Sequence, residues 1–186
     1  NGGPGYEIIE PAAWDSISFT GEVEALAKKA DIVVFGTLGQ RSEVSRSTIQ
    51  QLVKQSTLSV CDINLRPPFD DPSIVEDSLQ AADIAKMNDD ELMTLAGWFG
   101  WSGQREALVE QLAEAFGCQQ VCITCGGDGS VLFNQGNRTR QEAIPVKVKD
   151  TVGSGDAFLA AYIFGMSHFQ TDQERLRFAS LLGAFV

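Results

Sequence analysis

The chain has 186 residues, with 44% hydrophobic and 21% charged side chains, which is typical of one globular domain. Its formal net charge of −11 argues against a basic surface for nucleic acid or anionic membranes, so we expect neither as a partner. A small phosphate compound is still compatible, because backbone amides, a helix N-terminus and a metal ion can supply local positive potential.

No run in the sequence approaches the roughly 20 apolar residues of a membrane helix, and no basic segment followed by an apolar run opens the chain. We therefore expect a cytoplasmic protein. The chain lacks an initiating Met and stops in the apolar run 181–186 without a helix stop signal. We expect residues 1–186 to be a single α/β domain cut from a longer chain.

Short apolar runs alternate with amphipathic segments through the first half of the chain, which predicts parallel strands joined by helices. Residues 31–36 are typical of a strand buried on both faces, and 42–54 carry the apolar stripe of a helix. A second strand is predicted at 58–63. A helix at 72–81, opened by a capping Asp and a Pro, then leads to a third strand at 84–87.

The second half continues the alternation and ends in two helices. Glycine turns separate its three strands, so we expect antiparallel pairs beside a mostly parallel sheet. The whole pattern predicts a layered α/β fold. The predicted helices are 89–96, 104–116, 156–167 and 172–185, and the predicted strands are 120–124, 130–134 and 139–144.

The segment 150–158, Asp-Thr-Val-Gly-Ser-Gly-Asp-Ala-Phe, places two glycines directly before an apolar helix. Gly153 and Gly155 let backbone amides approach an anion at the helix N-terminus. Asp156 lies where it can accept a proton from an attacking hydroxyl while the amides stabilise a transferring phosphoryl group. From the spacing alone, a turn with an N-capping Asp is the alternative. A dinucleotide loop is disfavoured, because Phe158 replaces its third small residue.

This nonapeptide resembles the ribokinase/PfkB signature D-T-x-G-A-G-D-x-F, with Ser154 in place of the usual alanine. The resemblance implies a ribokinase-like three-layer α/β/α sandwich with a mostly parallel central sheet. It also implies an ATP-dependent carbohydrate kinase in which Asp156 is the catalytic base. The implied anion hole consists of Gly153, Ser154, Gly155 and Asp156.

A second segment, 124–129, lies between two predicted strands and resembles the family's T-x-G-x-x-G nucleotide loop. The resemblance implies that Thr124, Gly126 and Gly129 contact ATP, as does Gly155 from the first motif. Taken alone, the same residues are more typical of a glycine hairpin.

A third segment, Asn-Asp-Asp-Glu at 88–91, follows a predicted strand and resembles the family's N-x-x-E element. The resemblance places Asn88 near ATP and lets Glu91 order water around Mg²⁺. The alternative is an Asn cap with acidic residues in the first turn of a helix. The two interpretations are compatible.

A fourth segment resembles the family's D-x-N-x-R element, which places Asp62, Asn64 and Arg66 at the carboxyl edge of the sheet. We expect these three residues to contact substrate or phosphate, with Arg66 as the candidate phosphate ligand. A local ion pair between Asp62 and Arg66 is the structural alternative.

The resemblance further implies ATP, Mg²⁺ and K⁺ as cofactors, with Asp150 and the backbone of Val152 at a monovalent-cation site. Residues 6–15 resemble the middle region of fructokinase-like members of the family. Fructose is therefore the first candidate substrate. Ribose, 2-keto-3-deoxygluconate, nucleosides and sugar phosphates stay open, because the N-terminal sugar-binding and lid region and the C-terminal end are absent from this sequence. A homodimer and a non-catalytic regulator are further possibilities.

Three other features receive structural interpretations. Cys122 and Cys125 have C-x-x-C spacing, but on a strand they would point to opposite faces, which argues against a metal site. The aromatic residues 98, 99 and 101 are typical of a packing cluster at a helix end, and a base-stacking or partner surface is the alternative. His168 is the sole histidine and is assigned to a helix C-terminus.

Overall fold

A six-stranded sheet forms the centre of the molecule in the computed structural model, which describes residues 8–147 and 151–186. Its strands lie side by side in chain order. They are β1 (Ile32–Gly36), β2 (Leu58–Asp62), β3 (Ile84–Asn88), β4 (Gln120–Thr124), β5 (Ser130–Asn134) and β6 (Asn137–Gln141).

The helices of the described residues connect and cover these strands. None of them is both long and apolar enough to cross a membrane. They are α1 (Gly21–Ala27), α2 (Glu43–Gln55), α3 (Pro72–Gln80), α4 (Asp89–Phe99), α5 (Arg105–Phe116), α6 (Ser154–His168) and α7 (Asp172–Phe185), with short 3-10 helices at Ala13–Ser16, Leu38–Gln40 and Gly126–Asp128.

The sheet is mixed, as the sequence predicted. Strands β1 to β4 pair in parallel, whereas β4, β5 and β6 form antiparallel pairs. The parallel register aligns Gly36 with Asp62 and aligns Asp62 with Lys86. The carboxyl ends of four strands therefore meet at one edge of the sheet.

Two separate apolar cores lie on the two faces of the sheet, because side chains along each strand alternate between the faces. Val121 and Ile123 of β4 belong to the core covered by α2, α3, α4 and α5. Cys122, between them, belongs to the core covered by α6 and α7. The predicted three-layer α/β/α sandwich is confirmed.

The helix boundaries follow from local chemistry. The Asp71 side chain accepts a hydrogen bond from the amide of Ser73, and Pro72 occupies the first turn of α3. Helices α4 and α5 each end on a glycine in the left-handed region, Gly100 at φ 70° and Gly117 at φ 73°.

Three predictions about elements need correction. Strand β1 is not buried on both faces: it forms an edge of the described sheet, and Val34 is 51% exposed. Helix α1 was not predicted. Strand β6 begins two residues before the predicted 139–144, because Gln135 and Gly136, both at positive φ, form the tight turn that sets its register.

The packing predictions for the cysteines and aromatic residues are confirmed. Cys125 packs against the core opposite to that of Cys122. The ring centroids of Phe99 and Trp101 are 5.1 Å apart, and Trp98 also packs against the core beneath α4. His168 is the last residue of α6 and stacks on Phe164.

A partly buried ion pair joins the 3-10 helix Ala13–Ser16 to the residue that follows the 3-10 helix Leu38–Gln40. The Arg41 guanidinium donates hydrogen bonds of 2.8 and 2.7 Å to the two carboxylate oxygens of Asp15. It also lies over the ring of Phe69, at 4.5 Å from the centroid. These hydrogen bonds lower the pKa of Asp15 from 3.8 to about 2.

We predict a pH signature for this pair. Because the folded-state pKa of Asp15 is lower than its unfolded value, its stabilisation is complete above about pH 4 and is lost as the pH falls through about 2. Urea midpoints of the wild type and Asp15→Asn should therefore differ at pH 5 and converge near pH 2. An equal difference at both pH values would contradict the assignment.

Two glycines in and after α4 provide a matched test of backbone conformation. A Cβ atom at either Gly97 or Gly100 would meet nothing within 4 Å, but only Gly100 has a positive φ. We predict that Gly97→Ala stabilises the fold by about 0.5–1 kcal/mol, and that Gly100→Ala destabilises it by about 1 kcal/mol. Urea denaturation measures both, and shifts of the same sign would refute this account.

Candidate active site

Helix α6 begins at the carboxyl edge of the sheet, at Ser154, two residues earlier than predicted. Gly153 caps it at φ 83°, and the first helical hydrogen bond runs from the amide of Ala157 to the carbonyl of Gly153, at 2.8 Å. The amide of Ser154 donates to the carbonyl of Thr151. Within the described chain, the amides of Gly155 and Asp156 have no hydrogen-bond partner, as expected for the first turn of a helix.

These two amides make the start of α6 suitable for an anion. They add to the partial positive charge that a helix of 15 residues carries at its N-terminus. The predicted anion hole, Gly153 to Asp156, is thus a glycine cap followed by the first helical turn.

Ser154 differs from the usual alanine, and its hydroxyl has a defined partner. It donates a 2.7 Å hydrogen bond to the carbonyl of Gly183 in α7. A Cβ atom at Gly183 would lie 3.1 Å from the carbonyl oxygen of Ser154, so the two helices touch here. The serine therefore joins α6 to α7 and leaves the amides of the following residues available.

Asp62 forms an ion pair that the sequence interpretation did not include. Its two carboxylate oxygens accept hydrogen bonds of 3.0 and 3.1 Å from Lys86 Nζ on the neighbouring strand. The side chains are only 13% and 8% exposed, respectively. Arg66, the partner considered from sequence, is exposed and donates to the carbonyl of Leu65. The sequence feature that could have identified Lys86 as a site residue is its charge within an otherwise apolar strand.

A cavity of about 620 Å³ opens beside Asp156, between β1 and α6. Its polar lining is contributed by Asp62, Asn64 and Asp156, and its apolar lining includes Val34 and Leu159. Burial raises the pKa of Asp62, and the negative charge of Asp156 raises it further, against the opposing effect of the lysine partner. The cavity thus presents two interacting carboxyl groups and one amide.

Glu91 and Asn88 form a capping box at the start of α4. The Asn88 side chain accepts a 2.8 Å hydrogen bond from the amide of Glu91, and the Glu91 carboxylate accepts one of 2.8 Å from the amide of Asn88. Its other oxygen accepts from the amide of Leu65, also at 2.8 Å. Burial raises the pKa of Glu91. The capping interpretation is confirmed, and the magnesium role stays a prediction.

The predicted nucleotide loop follows β4 at the same edge. Gly129 has φ 90°, and a Cβ atom there would lie 2.0 Å from the carbonyl oxygen of Gln141, so only glycine fits. Arg105, another residue missed from sequence, binds both oxygens of Asp89 at 2.6 Å and approaches Asp128 within the loop. The turn is thus a glycine hairpin next to α4, and the predicted ATP contacts of Thr124, Gly126 and Gly129 stay predictions.

The predicted monovalent-cation site falls partly outside the described residues. Asp150 lies outside them, whereas Val152 is described two residues before α6. The proposed pairing of these two residues around K⁺ therefore stays a prediction.

Four strand ends meet a helix N-terminus at this edge, together with two carboxyl groups and a buried lysine. In α/β sandwiches, this edge of the sheet is where small-molecule ligands commonly bind. Residues 8–186 match the pfkB family carbohydrate kinase description, and the chain belongs to that family.

Individual relatives agree with this assignment. The chain is 29% identical over 170 residues to a ribokinase from Arabidopsis thaliana, and 26% identical over 171 residues to a fructokinase from Rhizobium leguminosarum bv. trifolii. These alignments cover 90% and 88% of this chain but 43% and 51% of the relatives. The chain thus spans about half the length of the curated relatives it matches.

Solved structures show the same fold. The crystal structure of an uncharacterized sugar kinase from Pyrococcus horikoshii in complex with ATP superposes with a TM-score of 0.80 at 24% sequence identity. The match covers 99% of this chain and 60% of that one.

We predict that Glu91→Gln destabilises the fold by about 1–3 kcal/mol, because the amide group that replaces one oxygen leaves a buried backbone N–H without an acceptor. Urea denaturation measures the loss. Glu114→Gln, at an exposed position of α5, is the matched control and should change stability by less than about 0.5 kcal/mol. Equal effects of the two substitutions would show that the capping box contributes little.

Proposed function

We propose that the protein containing this chain transfers the γ-phosphoryl group of ATP to a hydroxyl group of a sugar. The observation that carries the proposal is the position of Asp156. Its carboxylate belongs to the turn whose amides are available to an anion, and it borders an open cavity with further polar groups. A proton acceptor and a phosphoryl site therefore adjoin the space where a hydroxyl can bind.

The reaction follows from this arrangement. Asp156 accepts the proton of the attacking sugar hydroxyl, whose oxygen forms a bond to the γ-phosphorus as the bond to the ADP oxygen breaks. The amides of Gly155 and Asp156 stabilise the negative charge on the transferring group. Most of the rate enhancement comes from positioning and electrostatic stabilisation, because the protein forms no covalent bond to the phosphoryl group.

The residues present fit a bound nucleotide and its metal. Thr124, Gly126, Gly129 and Asn88 lie at or beyond the ends of β3 and β4, where the nucleotide would extend from the phosphoryl site. Mg²⁺ would neutralise phosphate charge when bound. Since both Glu91 oxygens already accept backbone amides, this carboxylate would act on the metal through water. K⁺ would bind at Asp150 and Val152.

Fructose is the first candidate acceptor. The polar end of the cavity offers Asp62 and Asn64 as hydrogen-bonding partners for sugar hydroxyls. Both a ribokinase and a fructokinase are among the relatives, so ribose belongs in the same assay panel. The other candidates from the sequence, 2-keto-3-deoxygluconate, nucleosides and sugar phosphates, complete that panel. Arg66 is the candidate contact for a phosphate group. We further propose a cytoplasmic location and a possible homodimer for the full protein.

We predict that Asp156→Asn lowers kcat by about 100- to 10,000-fold, because the amide cannot accept the proton. ADP release by the full-length protein with Mg²⁺ and K⁺ across the sugar panel measures this. Asp77→Asn, an exposed substitution in α3, is the matched control and should retain full activity.

Two outcomes would overturn the proposal. If Asp156→Asn turned over the preferred sugar at the wild-type rate, this carboxylate would not be the base. If the wild type bound ATP yet phosphorylated no sugar in the panel, a regulatory binding protein would replace the kinase.

A further inference from the structure

We propose that Lys86 is a catalytic residue whose ammonium group contacts the transferring phosphoryl group from beneath the first turn of α6. The inference rests on the proposed function and adds a cationic side chain to an anion site otherwise built from backbone amides.

The burial of Lys86 requires an explanation. Only 6% of the residue is exposed, although it lies on a strand whose neighbouring side chains are apolar. Lysine is rarely buried to this degree without a partner, because removing its charge from water is costly. Asp62 supplies the partner, but a buried ion pair is seldom more stabilising than two apolar side chains. Stability alone therefore does not account for the pair.

The hydrogen bonds of the ammonium group leave one donor available. A lysine ammonium has three N–H donors, and Asp62 accepts hydrogen bonds from Nζ at both of its oxygens. No other hydrogen-bond partner of Nζ occurs in the part of the chain that the structure describes. The remaining N–H is thus a buried donor that needs an acceptor.

The second glycine of the Gly153-Ser154-Gly155 turn shows where this donor lies. A Cβ atom built on Gly155 would be only 2.9 Å from Lys86 Nζ. The ammonium group therefore occupies the space of the missing side chain, next to an amide that has no partner. An anion bound to the amides of Gly155 and Asp156 lies within reach of Nζ.

The charges of the site give this contact a function. Asp62 and Asp156 both line the cavity, and their negative charges oppose the approach of a triphosphate. Lys86 offsets one of these charges in the resting site. A charge-assisted hydrogen bond from its ammonium group to a phosphoryl oxygen would then strengthen as negative charge develops there.

A double-mutant cycle separates this role from simple pairing with Asp62. The kcat of the full-length protein is measured for the wild type, Lys86→Met, Asp62→Asn and the double variant. We predict that Lys86→Met lowers kcat by about 100- to 1,000-fold in both the wild-type and the Asp62→Asn backgrounds. If Lys86 acts only through Asp62, its removal from the Asp62→Asn background will cost nothing, and the proposal is wrong.

Binding of ADP with aluminium fluoride, a mimic of the transferring phosphoryl group, provides a readout without turnover. In the presence of Mg²⁺ and sugar, the fluoride should tighten ADP binding to the wild type and to Asp62→Asn. In Lys86→Met and in the double variant this tightening should be lost. The double variant, which carries no unpaired Asp62 charge, should bind ADP alone as tightly as Asp62→Asn does. Measurable binding of ADP alone also shows that the variants are folded.

The outcomes distinguish this inference from the proposed function. If the wild type turns over sugar, but Asp62→Asn and the double variant show equal fluoride-dependent tightening of ADP binding, the role of Lys86 is refuted. The kinase function is not affected by that result. Absence of both turnover and tightening in the wild type would refute the kinase function, and this inference with it.

Discussion

The parallel pairing of β1 to β4 determines where the candidate site residues lie. Because these strands run in one direction and in close register, Gly36, Asp62, Asn88 and Thr124 all end at the same edge of the sheet. The pairing of the strands therefore brings together residues that are far apart in the sequence. An anion can bind at this edge only where positive potential is available, and the N-terminus of α6 provides it.

The position of α6 depends on the second face of the sheet. Phe158 and Tyr162 of this helix belong to the same core as strand residues such as Ile84, and α7 packs beside it against β5 and β6. The helix start is therefore held by a buried core, while Asp156, two residues before Phe158, is exposed and lines the cavity. A rigid support beneath an accessible first turn suits a site that must hold a charged group in a defined position.

Much of this arrangement could be predicted from the sequence. The alternation of apolar and amphipathic segments predicts the order of strands and helices from β1 to α7, and Gly117 marks the end of α5. Helix α4 continues three residues past its predicted end at 96 and stops at Gly100. The motif at 150–158 identifies the helix start and the candidate base by residue type and spacing. These features are local, so a single sequence records them.

Contacts between distant segments could not be predicted in the same way. The ion pair of Asp62 and Lys86 depends on the register of β2 and β3. The close approach of Gly155 to Lys86 Nζ depends on where the start of α6 lies relative to that pair. Likewise, the fit of Gly129 against Gln141 follows from the hairpin of β5 and β6. The exposure of Val34 reflects the position of β1 at an edge of the described sheet, which its apolar composition does not reveal.

The most direct test of the site as a whole is a crystal structure of the full-length protein with ADP, aluminium fluoride, Mg²⁺ and the preferred sugar. We predict fluoride on the amides of Gly155 and Asp156, with a sugar hydroxyl about 2.6–3.2 Å from the Asp156 carboxylate. Fluoride bound away from the first turn of α6 would contradict it.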